Sequence, residues 1–310
     1  MMWRSLRDRL GRLTATMWLI VTVAFFCAYK LPGDPARMIL GQKATPDAIE
    51  NFRHQTGLDQ PIAVQYSRFV RRALTLDLGE SLVQRRPVAD LIRERSGQTL
   101  ILILVSLLFL VLCGLALPVS LRLIEWQLPH KVYRSFWTFL AIAPPYVLSI
   151  LALLGFAGWL RWIPVSFDGT RPAAWIVPAL VLAAYPIAVI IRLLSDQIEN
   201  VLGSPFVRTA RAFGYSEPQV LLRFALPNAI TPALAAFANG VAFFVTGTFF
   251  VEVVFGIGGL GTLAYEAVRN KDVSVLVGVS IVFAGAICSI SAVLQLLLAA
   301  LDPRTGAQDA

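Results

Sequence analysis

Six apolar runs without a charged side chain constrain this sequence more than any other feature. A helix of about 20 apolar residues crosses the hydrocarbon core of a bilayer. The composition, 57% hydrophobic and 15% charged, also lies outside the usual range of soluble proteins. We therefore predict an all-α, polytopic membrane protein with six transmembrane helices. The runs cover residues 13–29, 96–121, 135–160, 172–191, 224–251 and 273–301.

The distribution of basic residues predicts the orientation of the chain. Its net charge is +8, and an excess of Lys and Arg in short connections marks the cytoplasmic side of a membrane. Four such residues precede the first run and three lie in each of the connections 122–134 and 196–223, whereas the opposite short connections hold two each. Both termini are therefore predicted to be cytoplasmic, with the first span uncleaved. The sequence has no module of basic and aromatic residues that would bind nucleic acid, so nucleic acid is not an expected partner despite the positive charge.

Residues 31–95 form an extracytoplasmic segment that is too long for a simple connection. Thr45 and Pro46 indicate a capped helix that continues to Gly57. Residues 62–76 interleave apolar side chains with arginines, a pattern suited to the membrane interface or to another subunit. Residues 87–95 form a third predicted helix leading into the second span. The segment either caps the outer mouth of the protein or docks a second protein.

The connection between the fourth and fifth spans, residues 203–228, carries the signals of a helical hairpin. Ser204 is a suitable N-cap, and Gly214 is suited to a left-handed helix stop. A second helix is predicted to start at Ser216 with a capping box completed by Gln219, and to end near Pro227.

The first helix of this hairpin is too short to be stable alone. Its spacing places Phe206, Ala210 and Phe213 on one face, with Arg208 and Arg211 beside them. That face is expected to pack either on the chain's own spans or on a second protein.

A polytopic membrane protein that moves solutes against a gradient needs an energy source, and the sequence shows none of its own. The phosphate-binding pattern Gly-x-x-x-x-Gly-Lys-[Ser/Thr] does not occur, and the five runs from residue 96 onward hold no ionisable residue of the kind that ion-driven carriers use. Energy is therefore expected to come from a partner, although a self-contained secondary carrier or channel is the alternative. An intramembrane hydrolase or metal site is disfavoured, because His54 and His130 are the only histidines and neither lies in a span.

The hairpin resembles a known motif. Arg208-Thr209-Ala210-x-x-x-Gly214, followed by Phe224-x-Leu226-Pro227, is similar to the "EAA" loop of ABC importer permeases, which in that family is a coupling helix seated in a cleft of the ATPase subunit. Arg208 stands in place of the glutamate and Phe224 in place of an isoleucine. The ATPase interface implied by the resemblance comprises Phe206, Arg208, Thr209, Ala210, Arg211, Phe213, Gly214 and Tyr215.

Other segments resemble the B-type permeases of dipeptide, oligopeptide and nickel importers. They include Leu31-Pro32-Gly33-Asp34-Pro35, Asp77-Leu78-Gly79-Glu80-Ser81 and Val251-Glu252-Val253-Val254-Phe255-Gly256. Departures are Phe213, where these proteins often carry a lysine, and Ile257-Gly258, which replaces a frequent Trp-Pro. The resemblance covers nearly the whole chain and implies the type I ABC importer permease fold.

The resemblance also implies partners and a location. The chain would pair with a second homologous permease, as a heterodimer, in the bacterial inner membrane, surrounded by lipid. Two ATPase subunits would bind the ATP and Mg, so that this chain itself holds no cofactor, and an extracytoplasmic binding protein would deliver the solute. Di- or oligopeptides are the leading cargo, with nickel chelates, glutathione or opine-like solutes as alternatives.

This reading divides the chain into consecutive parts. A cytoplasmic tail and first helix, 1–30, precede the extracytoplasmic segment 31–95. A five-helix core, 96–301, includes the coupling hairpin 203–228, and a cytoplasmic tail, 302–310, follows.

Four residues within or beside the spans are candidates for the translocation path or its gate. Pro144, Pro145 and Pro186 are expected to break their helices, and Glu252 at the outer end of the fifth span needs water or a partner. Packing bends and structural anchoring are the alternative roles. Small residues at 240 and 246–248 are expected to serve close helix packing, and the glycine-rich segment 256–261 to form a tight turn.

Overall fold

The computed structural model describes residues 44–301 apart from 76, 82, 124–129, 165 and 166. Before residue 44 it describes residues 11, 15, 18, 19, 22, 23, 25, 26, 36 and 40. The predicted C-terminal tail, the predicted N-terminal tail apart from residue 11, most of the predicted first span and the motif at 31–35 lie outside these residues.

The described chain is helical, and within it the only β-type pairing is an isolated bridge between Glu80 and Pro87. Three segments have the wider π-helical turn, Leu110–Ala116, Leu154–Trp159 and Val220–Ala225, and Pro172–Trp175 is a short 3₁₀ helix. The α-helices are α1 Pro46–Thr56, α2 Ile62–Leu74, α3 Val88–Phe109, α4 Leu117–Leu123, α5 His130–Ile142, α6 Pro145–Leu153, α7 Ile176–Leu202, α8 Pro205–Ala212, α9 Glu217–Gln219, α10 Leu226–Phe255, α11 Leu260–Arg269 and α12 Val273–Leu301.

Among the described residues, four continuous helical stretches are long and apolar enough to cross a membrane: Val88–Ser120, Pro172–Leu202, Glu217–Phe255 and Val273–Leu294. The predicted third span differs, because it consists of α5 and α6 with a break at residues 143 and 144. Pro144 has no N–H to donate and disfavours helical backbone in the residue before it. The expected helix break at Pro144 and Pro145 is therefore confirmed, with Pro145 starting α6.

Described residues of the chain fall into two compact units. The first draws on Met1–Gly97 and Gly258–Cys288, and the second on Gln98–Ile257 and Ser289–Ala310. Helix α7 is the centre of the second unit: it is apolar around most of its circumference, and 14 of its 27 residues are buried. An apolar helix of this kind is stable where other helices cover it on several sides.

Glycines bring α10 close to α7. A Cβ atom at Gly240 would lie 2.8 Å from Cβ of Pro186, and one at Gly247 would lie 2.6 Å from Cδ1 of Leu182. The predicted close packing is confirmed for these two glycines and for buried Thr248, whereas Thr246 is exposed. The expected break at Pro186 is wrong, because Pro186 lies buried inside the continuous helix α7.

In the first unit, α1 and α2 have the predicted helical form. The Thr45 side chain accepts a hydrogen bond from the N–H of Ala48, and Gly57 ends α1 with φ of +71°. The apolar face of α2 packs on the chain itself, since the ring of Phe25 lies 5.3 Å from that of Tyr66 and 5.2 Å from that of Phe69. This contact with Phe25 was not anticipated from the sequence, and the contact of this face with the membrane interface or another subunit stays a prediction.

The glycine-rich segment is only partly a turn. Gly256 has φ of +72° and ends α10 in the left-handed conformation, but the other glycines of this segment have no positive φ. The ten-residue helix α11 follows at once and buries Leu260, Leu263, Ala264 and Ala267. Their spacing of three, one and three was a helical signal that the predicted turn overlooked.

Candidate coupling interface

The hairpin between α7 and α10 begins with helix α8. Pro205 occupies its first turn, but the predicted N-cap Ser204 makes no capping bond with its side chain. Its hydroxyl instead donates a 2.5 Å hydrogen bond to the carbonyl of Val201, at the end of α7. Ser204 therefore joins α8 to the preceding helix, because both its hydroxyl and its backbone N–H donate to the carbonyl of Val201.

Helix α8 stops where predicted. Gly214 follows its end with φ of +86°, and no described atom would lie within 4 Å of a Cβ at this position. The requirement for glycine is thus one of backbone conformation and not of space. The capping box at Ser216 and Gln219 is also present, with the side chain of Gln219 accepting a 3.0 Å hydrogen bond from the N–H of Ser216.

The second helix of the hairpin does not end near Pro227. After α9 the chain passes through the π-helical turn Val220–Ala225 directly into α10, so that 217–255 is one continuous helix. Pro227 falls in the first turn of α10, and the neighbouring Asn228 side chain donates a 2.8 Å bond to the carbonyl of Phe224. Pro227 has no backbone N–H to donate. The wider π-helical turn before it and the additional donor from the Asn228 side chain accommodate this missing hydrogen bond.

The residues predicted to share one face of α8 differ in burial. Val207 and Ala210 are buried against the chain, while Phe206 and Phe213 are 47% and 80% exposed. Tyr215 is also exposed, with its ring 5.1 Å from that of Phe224. We call Phe206, Phe213 and Tyr215 the aromatic cap. Ala210 lies on the inner face, so it does not share the surface that the predicted interface required.

The charged residues of α8 have different partners. Arg211 donates hydrogen bonds of 2.7 and 3.0 Å to the carboxylate of Glu217, which raises the pKa of the guanidinium. It also reaches the carbonyl of Leu202 at 3.5 Å. Arg211 therefore holds the two arms of the hairpin together, whereas Arg208 and Thr209 are exposed.

Glu252, predicted at the outer end of the fifth span, lies in the last turn of α10 and is 0% exposed. Its Oε1 accepts a 2.6 Å hydrogen bond from the hydroxyl of Thr99, which is also buried. A buried carboxylate needs such donors. The sequence left two roles open for Glu252, structural anchoring and a place in the translocation path. The hydrogen bond with Thr99 supports structural anchoring.

On the exposed side of α10, Asn239 was not singled out in the sequence, and Thr246 was singled out only for helix packing. Asn239 and Thr246 lie on that side, and the exposed rings of Tyr146 and Tyr185 lie beside Phe250 and Phe243 of the same helix. The available signal was the presence of an asparagine in the middle of an apolar span, where polar groups are costly. No group of three or more potential metal ligands occurs among the described residues.

Comparisons with known proteins extend over the whole chain. Residues 127–307 match the family "Binding-protein-dependent transport system inner membrane component", and residues 2–103 match its N-terminal family. The glutathione transport system permease protein GsiC of Escherichia coli O6:H1 is 34% identical over 95% of this chain and 96% of its own. The protein of that name from E. coli K12 is 33% identical with the same coverage.

A solved structure has the same fold. It is described as a crystal structure of an amino acid ABC transporter with histidines, and the TM-score is 0.55 at 19% sequence identity. The match covers 68% of this chain and 94% of the other. At that identity the likeness concerns the fold alone.

Proposed function

Because the chain belongs to the family of binding-protein-dependent transport system inner membrane components and is a permease subunit of an ABC importer, we propose that it imports short peptides of the size of glutathione. Members of this family work with ATPase subunits and with a substrate-binding protein. The chain is thus a membrane-embedded transporter subunit and not an enzyme. Hydrolysis of ATP, with its Mg, belongs in this proposal to two partner ATPase subunits.

The observation that carries the coupling role is the aromatic cap. Phe206 and Phe213 are exposed beside a helix that is firmly joined to its own chain through Val207, Ala210 and Arg211. A rigid element with exposed rings is suited to fill a cleft in another protein. In the proposed mechanism, closure of the ATPase pair displaces the cap, and the continuous helix 217–255 transmits that displacement toward Glu252.

The substrate class is inferred from two sources. Relatives that are 33–34% identical over 95% of this chain are named for glutathione, a tripeptide. The uncharged spans favour a solute that is recognised through amide and hydroxyl groups and not through ion pairs within the membrane. Longer peptides, nickel chelates and opine-like solutes are the competing cargoes.

The rest of the proposed assembly follows from the family. A second, homologous permease completes the pathway as a heterodimer in the lipid of the bacterial inner membrane. The excess of basic residues in the connections 122–134 and 196–223 supports cytoplasmic termini. In that orientation the hairpin faces the ATPase subunits, and residues 31–95 face the binding protein.

Uptake by the assembled complex tests this function. The chain, co-purified with its partner subunits and binding protein, is reconstituted in vesicles, and accumulation of labelled glutathione is compared with that of a dipeptide, a nickel chelate and an opine. We expect ATP-dependent uptake that favours glutathione or the dipeptide. Uptake of the nickel chelate or opine alone would contradict the peptide assignment.

The aromatic cap has its own test. Phe213→Asp places a charge where an apolar contact is proposed, whereas Phe213→Leu keeps the site apolar and serves as the matched control. We expect the ATPase to co-purify with the Leu variant and to be lost from the Asp variant. Equal recovery by both variants would move the docking site away from the cap, and transport without any associated ATPase would favour a self-contained carrier.

A further inference from the structure

Helix α10 has two chemically different faces. Its buried positions, including Ala233, Gly240 and Gly247, pack on the chain's own helices. From residue 229 to its end, the exposed positions of α10 are Ala235, Asn239, Thr246 and Phe250, at spacings of four, seven and four residues. Such spacing keeps them on one side of a helix along most of its length. This side is therefore uncovered by the described parts of the chain.

Two tyrosines widen the exposed side. The ring of Tyr185 on α7 lies 5.1 Å from that of Phe243, and the ring of Tyr146 on α6 lies 6.2 Å from that of Phe250. Both tyrosines are exposed, at 43% and 48%. We call Asn239, Thr246, Tyr146 and Tyr185, together with the rings of Phe243 and Phe250, the polar strip.

Lipid is a poor neighbour for the polar strip. Asn239 lies near the middle of α10, and within the described part of the chain its side-chain amide makes no hydrogen bond. An amide carries two donors and an acceptor, and hydrocarbon satisfies none of them. Thr246 donates its hydroxyl to the carbonyl of Phe243 at 3.0 Å and still has an accepting oxygen. An exposed Asn at this depth indicates an aqueous or polar neighbour.

We propose that the polar strip lines the solute path and contacts the backbone of the transported peptide. The amide of Asn239 pairs with a peptide group as both donor and acceptor, and the tyrosine rings offer flat apolar walls with a hydroxyl at their edge. The strip holds no charged group. It therefore binds solute weakly enough to release it, as passage requires. This inference rests on the proposed function.

The backing of the strip is rigid. Tyr185 adjoins Pro186, which is in van der Waals reach of Gly240, and Leu182 one turn away faces Gly247 in the same manner. Tyr146 lies in the first turn of α6, directly after the break at Pro144. The prolines predicted from the sequence as path residues are, on this reading, positioning residues that orient the two tyrosines.

The test is chemical accessibility of single cysteines. In a background where Cys27, Cys113 and Cys288 are replaced by alanine, Asn239→Cys and Thr246→Cys are compared with Leu104→Cys and Leu108→Cys. These leucines are 54% and 55% exposed on the apolar span that contains α3, and they serve as matched lipid-facing controls. A membrane-impermeant cationic methanethiosulfonate is added to inverted vesicles that contain the assembled complex.

We expect the strip cysteines to react at least tenfold faster than the leucine-site cysteines. Their rates are also expected to differ several-fold between nucleotide-free and vanadate-trapped complexes. Rates equal to those of the controls would overturn the proposal. Efficient cross-linking of Asn239→Cys to the second permease, in place of reagent accessibility, would also overturn it and assign the strip to the contact between permeases.

A second arm separates this inference from the proposed function. S-methylglutathione, which has no free thiol, is expected to slow labelling at both strip sites. Nucleotide-dependent labelling without such protection would keep the strip as the path and reject the substrate class. Conversely, ATP-driven glutathione uptake by a complex whose strip is unreactive would keep the function and reject the strip.

Discussion

The hydroxyl of Thr99 donates a 2.6 Å hydrogen bond to the carboxylate of Glu252, although 153 positions separate the two residues in the sequence. Both side chains are almost fully buried, at 4% and 0% exposure. The bond ties the second span to the last turn of α10, directly before the left-handed Gly256. This attachment fixes the end of α10 to its neighbour, at the opposite end of the helix from the hairpin.

Substitutions of Glu252 separate anchoring from a direct role in transport. Glu252→Ala removes the acceptor of this bond and is expected to lower stability by about 1–3 kcal/mol, measured as a lower thermal unfolding midpoint in detergent. Glu252→Gln keeps an oxygen that accepts from Thr99, so its midpoint and its uptake are both expected to stay close to wild type. Loss of uptake by the Gln variant at unchanged stability would instead place the carboxylate in the path.

Asp272 performs a similar function in the other unit. It is 3% exposed, accepts a 2.5 Å bond from the hydroxyl of Ser81, and caps α12 through the N–H of Val275 at 3.3 Å. Asp272→Ala removes these contacts together with the 3.4 Å bond that the carboxylate accepts from the N–H of Val83, and is expected to cost about 1–3 kcal/mol. Hydrogen exchange of residues 79–88 is expected to accelerate. Ser81→Ala, which spares the cap, should show a smaller effect, and equal effects would contradict this division.

The close approach of α10 to α7 predicts a steric effect. Gly240→Ala places a methyl group 2.8 Å from Cβ of Pro186, and overpacking of this kind costs about 1–3 kcal/mol. Gly97→Ala is the control, because no described atom lies within 4 Å of its Cβ position in α3, and there we expect unchanged or slightly higher stability. The thermal unfolding midpoints of the two variants, each compared with that of the wild type, test this prediction. A neutral Gly240→Ala would mean that the two helices separate readily.

Gly214 predicts uncoupling by backbone strain. Gly214→Val forces a β-branched residue to φ of +86° and is expected to cost about 1–2 kcal/mol at this turn. Because the site is open, insertion and assembly should persist while ATP hydrolysis no longer drives uptake. Gly214→Asn, which tolerates the left-handed conformation better, should retain coupling. Normal ratios of transport to hydrolysis in the Val variant would rule out the proposed role of this helix stop.

The ion pair of Arg211 and Glu217 predicts a salt-sensitive contribution to the hairpin. Both side chains are partly exposed, so a double-mutant cycle is expected to give about 0.2–1 kcal/mol, decreasing as salt is added. Either single charge reversal is expected to weaken ATPase association. Exchanging the charges, Arg211→Glu with Glu217→Arg, should restore much of that association. Failure of the exchanged pair to recover ATPase association would indicate that Arg211 contacts the ATPase directly.

Local signals in the sequence were sufficient for several helix ends, although not for the expected cap at Ser204 or the expected end near Pro227. The cap at Thr45, the left-handed stops at Gly57 and Gly214, and the capping box at Ser216 depend on residues within a few positions of one another. The long uncharged runs likewise determined a helical membrane protein, since a bilayer leaves the backbone few other choices. The motif around Gly214, together with the other segments that resemble B-type permeases, then predicted the family.

Only the tertiary structure decided which side of each helix is covered. A span that is apolar all round has no periodic pattern that distinguishes its faces. Consequently the burial of Ala210, the continuity of α7 through Pro186 and the exposure of Asn239 depended on neighbours distant in sequence. The bonds from Thr99 to Glu252 and from Ser81 to Asp272 join residues 153 and 191 positions apart, a separation over which local pattern carries no information.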